Sequence, residues 1–366
     1  MLLFTLLMVY IPVFLIGLAL PLFSKKTLFF GVNIPEEKSN LSSLKLLRNK
    51  YFINYCLSFA IASALIAYGF SRTGNEGLLI SLSFIFVILL SANYYYIHRK
   101  VKRLKQQEGW IIDKKQVVIV DTQKRSKDMA ISYWWFLLPV AILAFGVLFS
   151  MIQYPYLPDK IPGHFNAAGE ATRYDNKSLL SVFSIPLVQL GMTALMLGLF
   201  RVLRVARITI NPSKPKTSLL QGKLANRRWG IFTVLMAILI NLQLLYTQLM
   251  VLQLVDSSRS MLVTMLFTGG IIALVIITGF MTGQGGSRIK VKDEELENQN
   301  PSLICRDDDR YWKLGMIYYN PDDPTLWVEK RFGIGWTINH GHPIGKILTV
   351  IIIVLLGASL ILPMIK

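Results

Sequence analysis

Apolar residues in this chain are collected into long blocks separated by polar segments, unlike the three- and four-residue spacing of a soluble amphipathic helix. A helix needs roughly 20 apolar residues to cross about 30 Å of hydrocarbon. Blocks of that length lie at 2–23, 51–70, 78–97, 134–153, 179–200, 230–254, 261–281 and 345–365. They predict an all-α integral membrane protein with about eight transmembrane helices. Pro12 and Pro21 fit the first span, since neighbouring helices can satisfy the carbonyls a proline frees. The organisation that follows is a set of four N-terminal helices with basic loops (1–153), an extracytoplasmic loop (154–177), three helices (178–281), a cytoplasmic β-hairpin domain (282–344) and a last helix (345–366).

Shorter patterns sit between the blocks. In FFGVNIPEE, Gly31 and Pro35 mark a turn, and Phe29 and Phe30 are expected to dock at the membrane surface. The turn SRTGNEG makes a hairpin of the second and third helices, and Tyr94, Tyr95 and Tyr96 read as an aromatic belt at headgroup depth. Lys115 to Asp121 is short and β-branched and predicts a strand. Arg207 to Asn211 and the Pro/Lys segment after it read as a solvated basic linker. From Asp307 the chain alternates through Tyr319, turns at NPDDP, and alternates again from Thr325 to Arg331. That predicts one β-hairpin with Trp312, Leu314, Met316 and Tyr318 on a shared face. An isolated hairpin is marginal, so it should pair with the strand near 117–120 or pack on the membrane surface.

Charge then orients the blocks. The formal net charge is +18, with 53% hydrophobic and 16% charged residues. Loops at 24–50, 98–133, 201–229 and 282–344, together with Lys346, hold 33 of the 39 Lys and Arg. The other side has Arg72, Lys160, Arg173, Lys177, Arg259 and Lys366. Cytoplasmic loops carry the excess of Lys and Arg, so both termini and the 154–177 loop are expected outside. Topogenic charge beside anionic lipid explains the basic balance, and no groove of basic and stacking residues argues for nucleic acid. Cys56, inside a span, and Cys305, in a cytoplasmic loop, imply no disulfide framework. The N-terminus lacks a basic n-region and reads as an uncleaved anchor.

The predicted spans carry few ionisable groups, which disfavours proton relays and coupled transport. Their polar residues are Asn54, Gln189, Asn241, Gln243, Thr247, Gln248 and Gln253, read as interhelical hydrogen-bonding groups. Asn241 and Gln248 fall on one face of their helix, with Gln243 and Thr247 nearly opposite. Candidate chemistry concentrates in the outer loop, where Pro155, Pro158 and Pro162 keep the backbone out of helix and Gly163 and Gly169 permit turns. If this stretch is extended, His164 and Asn166 face one way and Phe165 the other. Asp159, Pro162, His164, Phe165, Asn166 and Gly169 are therefore candidate ligand-binding residues, against a structural role for His164 and Asn166 in tying the loop to itself. Glu170 and Asp175 stand near His164, but no HExxH or Ser/His/Asp pattern points to metal or catalysis. Tyr311, Trp312, Tyr318, Asn320, Asp322, Asp323, Arg331 and Asn339 are candidate contacts for a cytoplasmic partner. Asp307, Asp308, Asp309, Asp322 and Asp323 lack the spacing of a calcium loop and read as a solvated turn. No cofactor or metal is implied.

Leu157, Pro158, Ile161, Pro162, His164, Phe165, Asn166, Gly169 and Lys177 form an LPxxIPxHFNxxG stretch followed by a Lys. It resembles the domain of unknown function found in bacterial immunity membrane proteins of the sporulation-delaying-toxin type. The run from Asp307 to Asn339 resembles a second uncharacterised domain that often follows it. The resemblance implies a multi-pass protein of the bacterial cytoplasmic membrane, linked to protection against a secreted toxin or to signalling. The expected function is non-enzymatic: immunity or envelope sensing, with the bilayer, a secreted peptide and a cytoplasmic protein as partners. The alternatives are a transporter of an uncharged or lipid-like substrate and a membrane-embedded enzyme acting on peptide or lipid.

Overall fold

A computed structural model describes residues 10–73, 76–110, 115–117, 131–166, 169–205, 208–291, 303–305 and 307–361. In chain order the elements are α1 (Ile11–Phe23), β1 (Leu28–Phe29), β2 (Val32–Asn33), α2 (Ser42–Thr73), α3 (Glu76–Gln107) and β3 (Lys115–Val117). There follow α4 (Leu137–Gln153), β4 (Lys160–Phe165), β5 (Ala171–Asn176), α5 (Leu179–Val205), α6 (Pro215–Val251) and α7 (Ser260–Thr282). The chain ends with β6 (Leu303–Cys305), β7 (Trp312–Lys313), β8 (Ile317–Tyr318), β9 (Trp327–Glu329), β10 (Trp336–Ile338) and α8 (Pro343–Ile361).

The protein is mostly helical, and five segments are long and apolar enough to cross a membrane: Ser42–Thr73, Tyr133–Tyr156, Leu179–Val205, Pro215–Val251 and Ser257–Gly286. Five of the eight predicted blocks thus meet the length and composition of a span among the described residues. The first and last blocks supply the shorter apolar helices Ile11–Phe23 and Pro343–Leu355. Residues 2–9 and 362–365 of those blocks lie outside the described residues, as do the side chains of 76–86 in the third. The helices turn many apolar side chains outward, as segments of membrane-spanning length and composition do in lipid. On α2, Ile53, Leu57, Ile61 and Leu65 form one stripe, each at least 55% exposed.

The chain divides into two compact units. The first holds α4, β4, β5, α5, α6 from Ala225 and α7 to Thr278. Its helices meet through a buried polar seam. Gln248 Nε2 donates to Ser150 Oγ at 2.7 Å and to the Val182 carbonyl at 3.0 Å. Gln189 Nε2 donates to the Asn241 carbonyl at 3.0 Å, and Asn241 Nδ2 donates to Thr193 Oγ1 at 2.9 Å. Gln189, Asn241 and Gln248 are completely buried. The face shared by Asn241 and Gln248 is thus the one turned into the helix bundle, where a polar group must find a partner inside the protein.

The second unit holds α1 from Phe14, the β1/β2 hairpin, α2, α3, β3, residues up to Leu224 and everything from Gly279. Phe30 and Gly31, with φ of 44° and 78°, make the two-residue reversal between β1 and β2, the positive-φ turn that short hairpins favour. This turn is a core element. Phe30 is buried with Tyr51, Tyr94 and Phe332, its ring centroid 4.9 Å from Tyr51 and 5.5 Å from Phe332. Two expectations change here. Phe30 does not dock at a membrane surface, and Tyr94 is buried 4.4 Å from Phe332 rather than lying in an aromatic belt, which leaves Tyr95 and Tyr96 exposed.

The predicted C-terminal hairpin is also corrected, because the chain makes two. β7 pairs antiparallel with β8 and β9 with β10. The first reversal falls at Leu314 and Gly315, both at positive φ, so Trp312 and Tyr318 are buried while Leu314 and Met316 are exposed. NPDDP lies between the two hairpins. The strand at Lys115–Val117 pairs in parallel with β6 instead of with a hairpin; residues 118–120 lie outside the described residues. The basic linker is shorter than expected, since Pro215 already opens α6, where a proline loses nothing by lacking its N–H.

Candidate functional site

The outer segment is an antiparallel hairpin rather than an irregular loop. β4 and β5 pair from Lys160 with Asn176 to Phe165 with Ala171, and the register shifts around His164. Gly163 sits at that shift, where an added Cβ would collide with the Asp175 carboxylate. The inner face is apolar. Leu157 and Ile161 are buried with Val182, Val251 and Leu252, and Phe165 packs against the same cluster.

The candidate residues divide by role. Pro162 is buried opposite Tyr174. Asp159 is exposed, and its carbonyl accepts from the Lys177 N–H at 2.7 Å. Asn166 is committed to the tip: its Oδ1 accepts from the Glu170 N–H at 2.9 Å and its Nδ2 donates to Glu170 Oε2 at 2.8 Å. Gly169, at φ 85°, accepts no side chain, since a Cβ would meet the Ser257 carbonyl just before α7. His164 is exposed, with Nδ1 2.7 Å from Thr172 Oγ1. Arg173 and Tyr174 are exposed as well, on alternate faces of β5.

Reading the sequence did not single out Tyr156, Thr172, Arg173 or Tyr174. Tyr156 is 80% exposed and Tyr174 58%. Arg173 is braced by Asp175, Nε to Oδ1 at 3.0 Å. The alternation in ATRYDN was the available signal, weakened because both faces of that strand are polar. Lys177 closes the base: Nζ donates to the Leu157 carbonyl at 2.8 Å and lies 5.2 Å from the centre of the Tyr154 ring.

The second candidate group gathers in the other unit. Arg331, 5% exposed, pairs with Asp308 and Asp309, donates to the Gly31 carbonyl at 3.2 Å and lies 5.2 Å over the Trp312 ring. Lys105 Nζ reaches Asp307 at 2.9 Å and Asp309 at 2.5 Å. Asp307, Asp308 and Asp309 therefore form a paired cluster, correcting the solvated turn expected of them, while Asp322 is exposed. Burial opposes ionisation of Asp309, yet Arg331 and Lys105 beside it hold its carboxyl below the usual range.

Asn339, fully buried, uses all of its hydrogen-bonding capacity. Its Oδ1 accepts from the N–H groups of Asn320 and Gly341, both at 3.0 Å, and its Nδ2 donates to the carbonyls of Asn320 at 2.8 Å and Asp323 at 3.0 Å. Asn320 Nδ2 donates to Tyr318 Oη, which itself donates to Asp323 Oδ2 at 2.9 Å. Burial pushes the Tyr318 phenol up to about 12. Asp322 and Tyr311 project from this framework, Asp322 exposed. Among the described residues no group of three or more His, Cys, Asp or Glu is placed to hold a metal ion.

Residues 141–190 match the family described as "Domain of unknown function (DUF1648)". That stretch contains most of α4, the whole outer hairpin and the start of α5. Residues 321–346 match the "Family of unknown function (DUF5808)", from the clamped turn through β9 and β10 into α8. The chain carries two domains of unknown function. No curated protein and no solved structure matches it.

Proposed function

We propose that this chain is a non-enzymatic, multi-pass protein of a bacterial cytoplasmic membrane that recognises a peptide outside, a secreted toxin or antimicrobial peptide, through the β4/β5 hairpin. In this reading the apolar blocks make eight spans with both termini outside, and the match over 141–190 belongs to immunity proteins of the sporulation-delaying-toxin type. The observation that supports it is the division of the hairpin into buried and exposed side chains. Leu157, Ile161 and Phe165 seat it in the helix cluster, while His164, Arg173, Tyr174 and Tyr156 stand free of that cluster in the exposed layer. A rigid aromatic and basic surface on a strand pair suits an extended peptide, which adds main-chain bonds at a strand edge and side-chain contacts on alternate positions. The seam of Gln189, Asn241 and Gln248 supports a scaffold over a substrate path, because its donors are spent between helices.

Survival of a sensitive host exposed to secreted peptide toxins tests this. Cells expressing the wild type are expected to survive, and His164→Ala and Tyr174→Ala to lose protection while reaching the membrane in normal amount. Survival equal to that of cells lacking the protein, against every toxin tried, would end the immunity reading. Reporters fused after Arg72 or within 154–177 should read as external and one after Asp322 as internal; the reverse would end the orientation.

A further inference from the structure

Within the second unit a cavity of about 640 Å³ opens beside the clamped turn, between Lys25 to Asn33, Ile208 to Ile210 and the segment from Asp308 to Arg331. Small-molecule sites fall at roughly 300–1,000 Å³ and combine an apolar body with a few placed polar groups. The apolar part here comes from Tyr311, Trp312 and Tyr318, with Trp312 and Tyr318 ring centroids 5.0 Å apart. The charges lining the cavity are balanced. Lys25, Arg310, Lys330 and Arg331 face Asp308, Asp322, Asp323 and Glu329.

What matters is which of these charges the fold has already used. Arg331 is spent on Asp308, Asp309 and Gly31. Asp323 accepts from the Tyr318 hydroxyl and the Thr325 N–H. Lys25 binds Glu329 Oε2 at 2.7 Å, and Arg310 donates to the Tyr311 hydroxyl and lies 4.6 Å over the Tyr311 ring. Two groups are left over. The Asp322 carboxylate and the Lys330 ammonium are exposed, with no hydrogen bond or ion pair of their own among the described residues. Glu329 Oε1 is buried against Gly285 and its carboxylate is paired with Lys25, so it is closed to the cavity. One free anion and one free cation beside an aromatic wall match a ligand bearing both charges. An ion of either sign alone would leave one of the free charges unanswered.

We propose that this cavity binds a small zwitterion, an ammonium and an acidic group on an apolar or aromatic frame. The ammonium is taken by Asp322 and the acidic group by Lys330. Free amino acids and the phosphoethanolamine headgroup share that chemistry. The site does not depend on the outer hairpin's function.

The test uses the full-length protein in phosphatidylglycerol nanodiscs, with calorimetry and tryptophan fluorescence as readouts. The probes are phenylalanine and phosphoethanolamine, set against phenethylamine and 3-phenylpropanoate, which keep one charge each. Saturable binding of at least one zwitterion, at least tenfold tighter than its singly charged relatives, is expected. Asp322→Asn and Lys330→Gln should each weaken it about tenfold with unfolding midpoints unchanged, since neither side chain has a partner among the described residues. Phosphatidylethanolamine discs that block the phosphoethanolamine response would identify the lipid headgroup as the source; an unblocked response would identify the free molecule. The proposal is overturned if neither zwitterion binds the wild type, or if binding survives both substitutions unchanged.

Discussion

Arg331 donates from its guanidinium to the carbonyl of Gly31 at 3.2 Å, joining positions 300 residues apart. The same side chain neutralises Asp308 and Asp309, so a residue near the end of the chain holds the N-terminal β1/β2 hairpin against the acidic run. Replacing it with Met leaves Asp309 with Lys105 alone and Asp308 with no cation among the described residues, only the Trp312 indole N–H. Breaking a buried pair by removing one partner costs about 3–5 kcal/mol. Arg331→Met should lower the thermal unfolding midpoint in detergent accordingly. Arg331→Lys should recover only part of the loss, because an ammonium cannot serve both carboxylates and the carbonyl in the planar geometry of the fork. Equal stability of the three proteins would show that the cluster contributes nothing.

The cluster also sets an acid limit. Asp309 has its carboxyl held below the ordinary carboxylate range in the folded state. A lowered pKa contributes stability that is present above the unfolded value and lost as pH falls through the folded one. The stability difference between wild type and Asp309→Asn should therefore be full near neutrality and shrink below about pH 4, where the unfolded carboxylate titrates. Unfolding midpoints of both proteins across that range check it; a difference that stays constant with pH would exclude Asp309 as the titrating group.

Gly31 and Gly315 bear on each other. A Cβ on Gly31 would lie 2.6 Å from the Gly315 carbonyl and 2.6 Å from the Tyr94 hydroxyl, and Gly31 has φ 78°. Both the backbone and the space therefore refuse a side chain. Gly31→Ala is expected to destabilise by more than about 1 kcal/mol, from strain at positive φ together with displacement of Tyr94. Native-state proteolysis between α1 and α2 would report it, and unchanged resistance would show that the turn relaxes freely.

What could be read in the sequence follows from the range of the interaction concerned. Apolar blocks are local, so most of the long helices were legible, and so was the Gly31 turn. Phe30 and Tyr94 were misplaced because an aromatic residue near a span end looks the same in a membrane belt and in a core; Phe332, far along the chain, decides between them. The reversal at Leu314 was hidden because leucine rarely adopts φ of 54°, and it left only Gly315 as a signal against the stronger turn chemistry of NPDDP. That turn chemistry was real but local, and buried Asn339 determines its place in the fold. The outer hairpin escaped notice for a related reason: three prolines argue against regular structure, and the bulge at Gly163 absorbs the irregularity.

Lys177 fastens that hairpin to the short segment that follows α4. Its ammonium donates to the Leu157 carbonyl at 2.8 Å and to Pro155 at 3.4 Å, and its N–H donates to Asp159. Lys177→Met keeps the alkyl stem and removes the charge and donors. Loss of charge-assisted bonds to two carbonyls is expected to cost about 1.5–3 kcal/mol. Because the apolar face still seats on Val182 and Val251, the loss should be local. Faster amide exchange confined to 155–177, with helix amides unchanged, is the expected result; global loss of protection would show that the hairpin is integral to the bundle.

The polar seam offers the last test. Gln248 Nε2 serves Ser150 and Val182, but Gln248 Oε1 is buried without a partner among the described residues, as is Gln189 Oε1. Each helix-to-helix bond of this kind averages about 0.6 kcal/mol in membranes, and an orphaned acceptor subtracts from that gain. Gln248→Leu removes donor and orphan together, and the Ser150 hydroxyl still donates to the Gly146 carbonyl at 2.7 Å. The substitution should therefore change stability by less than about 1 kcal/mol. Asn241→Leu should cost more, because it strips Thr193 of its donor and leaves no orphan relieved. Unfolding in mixed micelles ranks the two; the opposite order would mean that the orphaned oxygens are satisfied by internal water, which the introduced aliphatic side chain would expel.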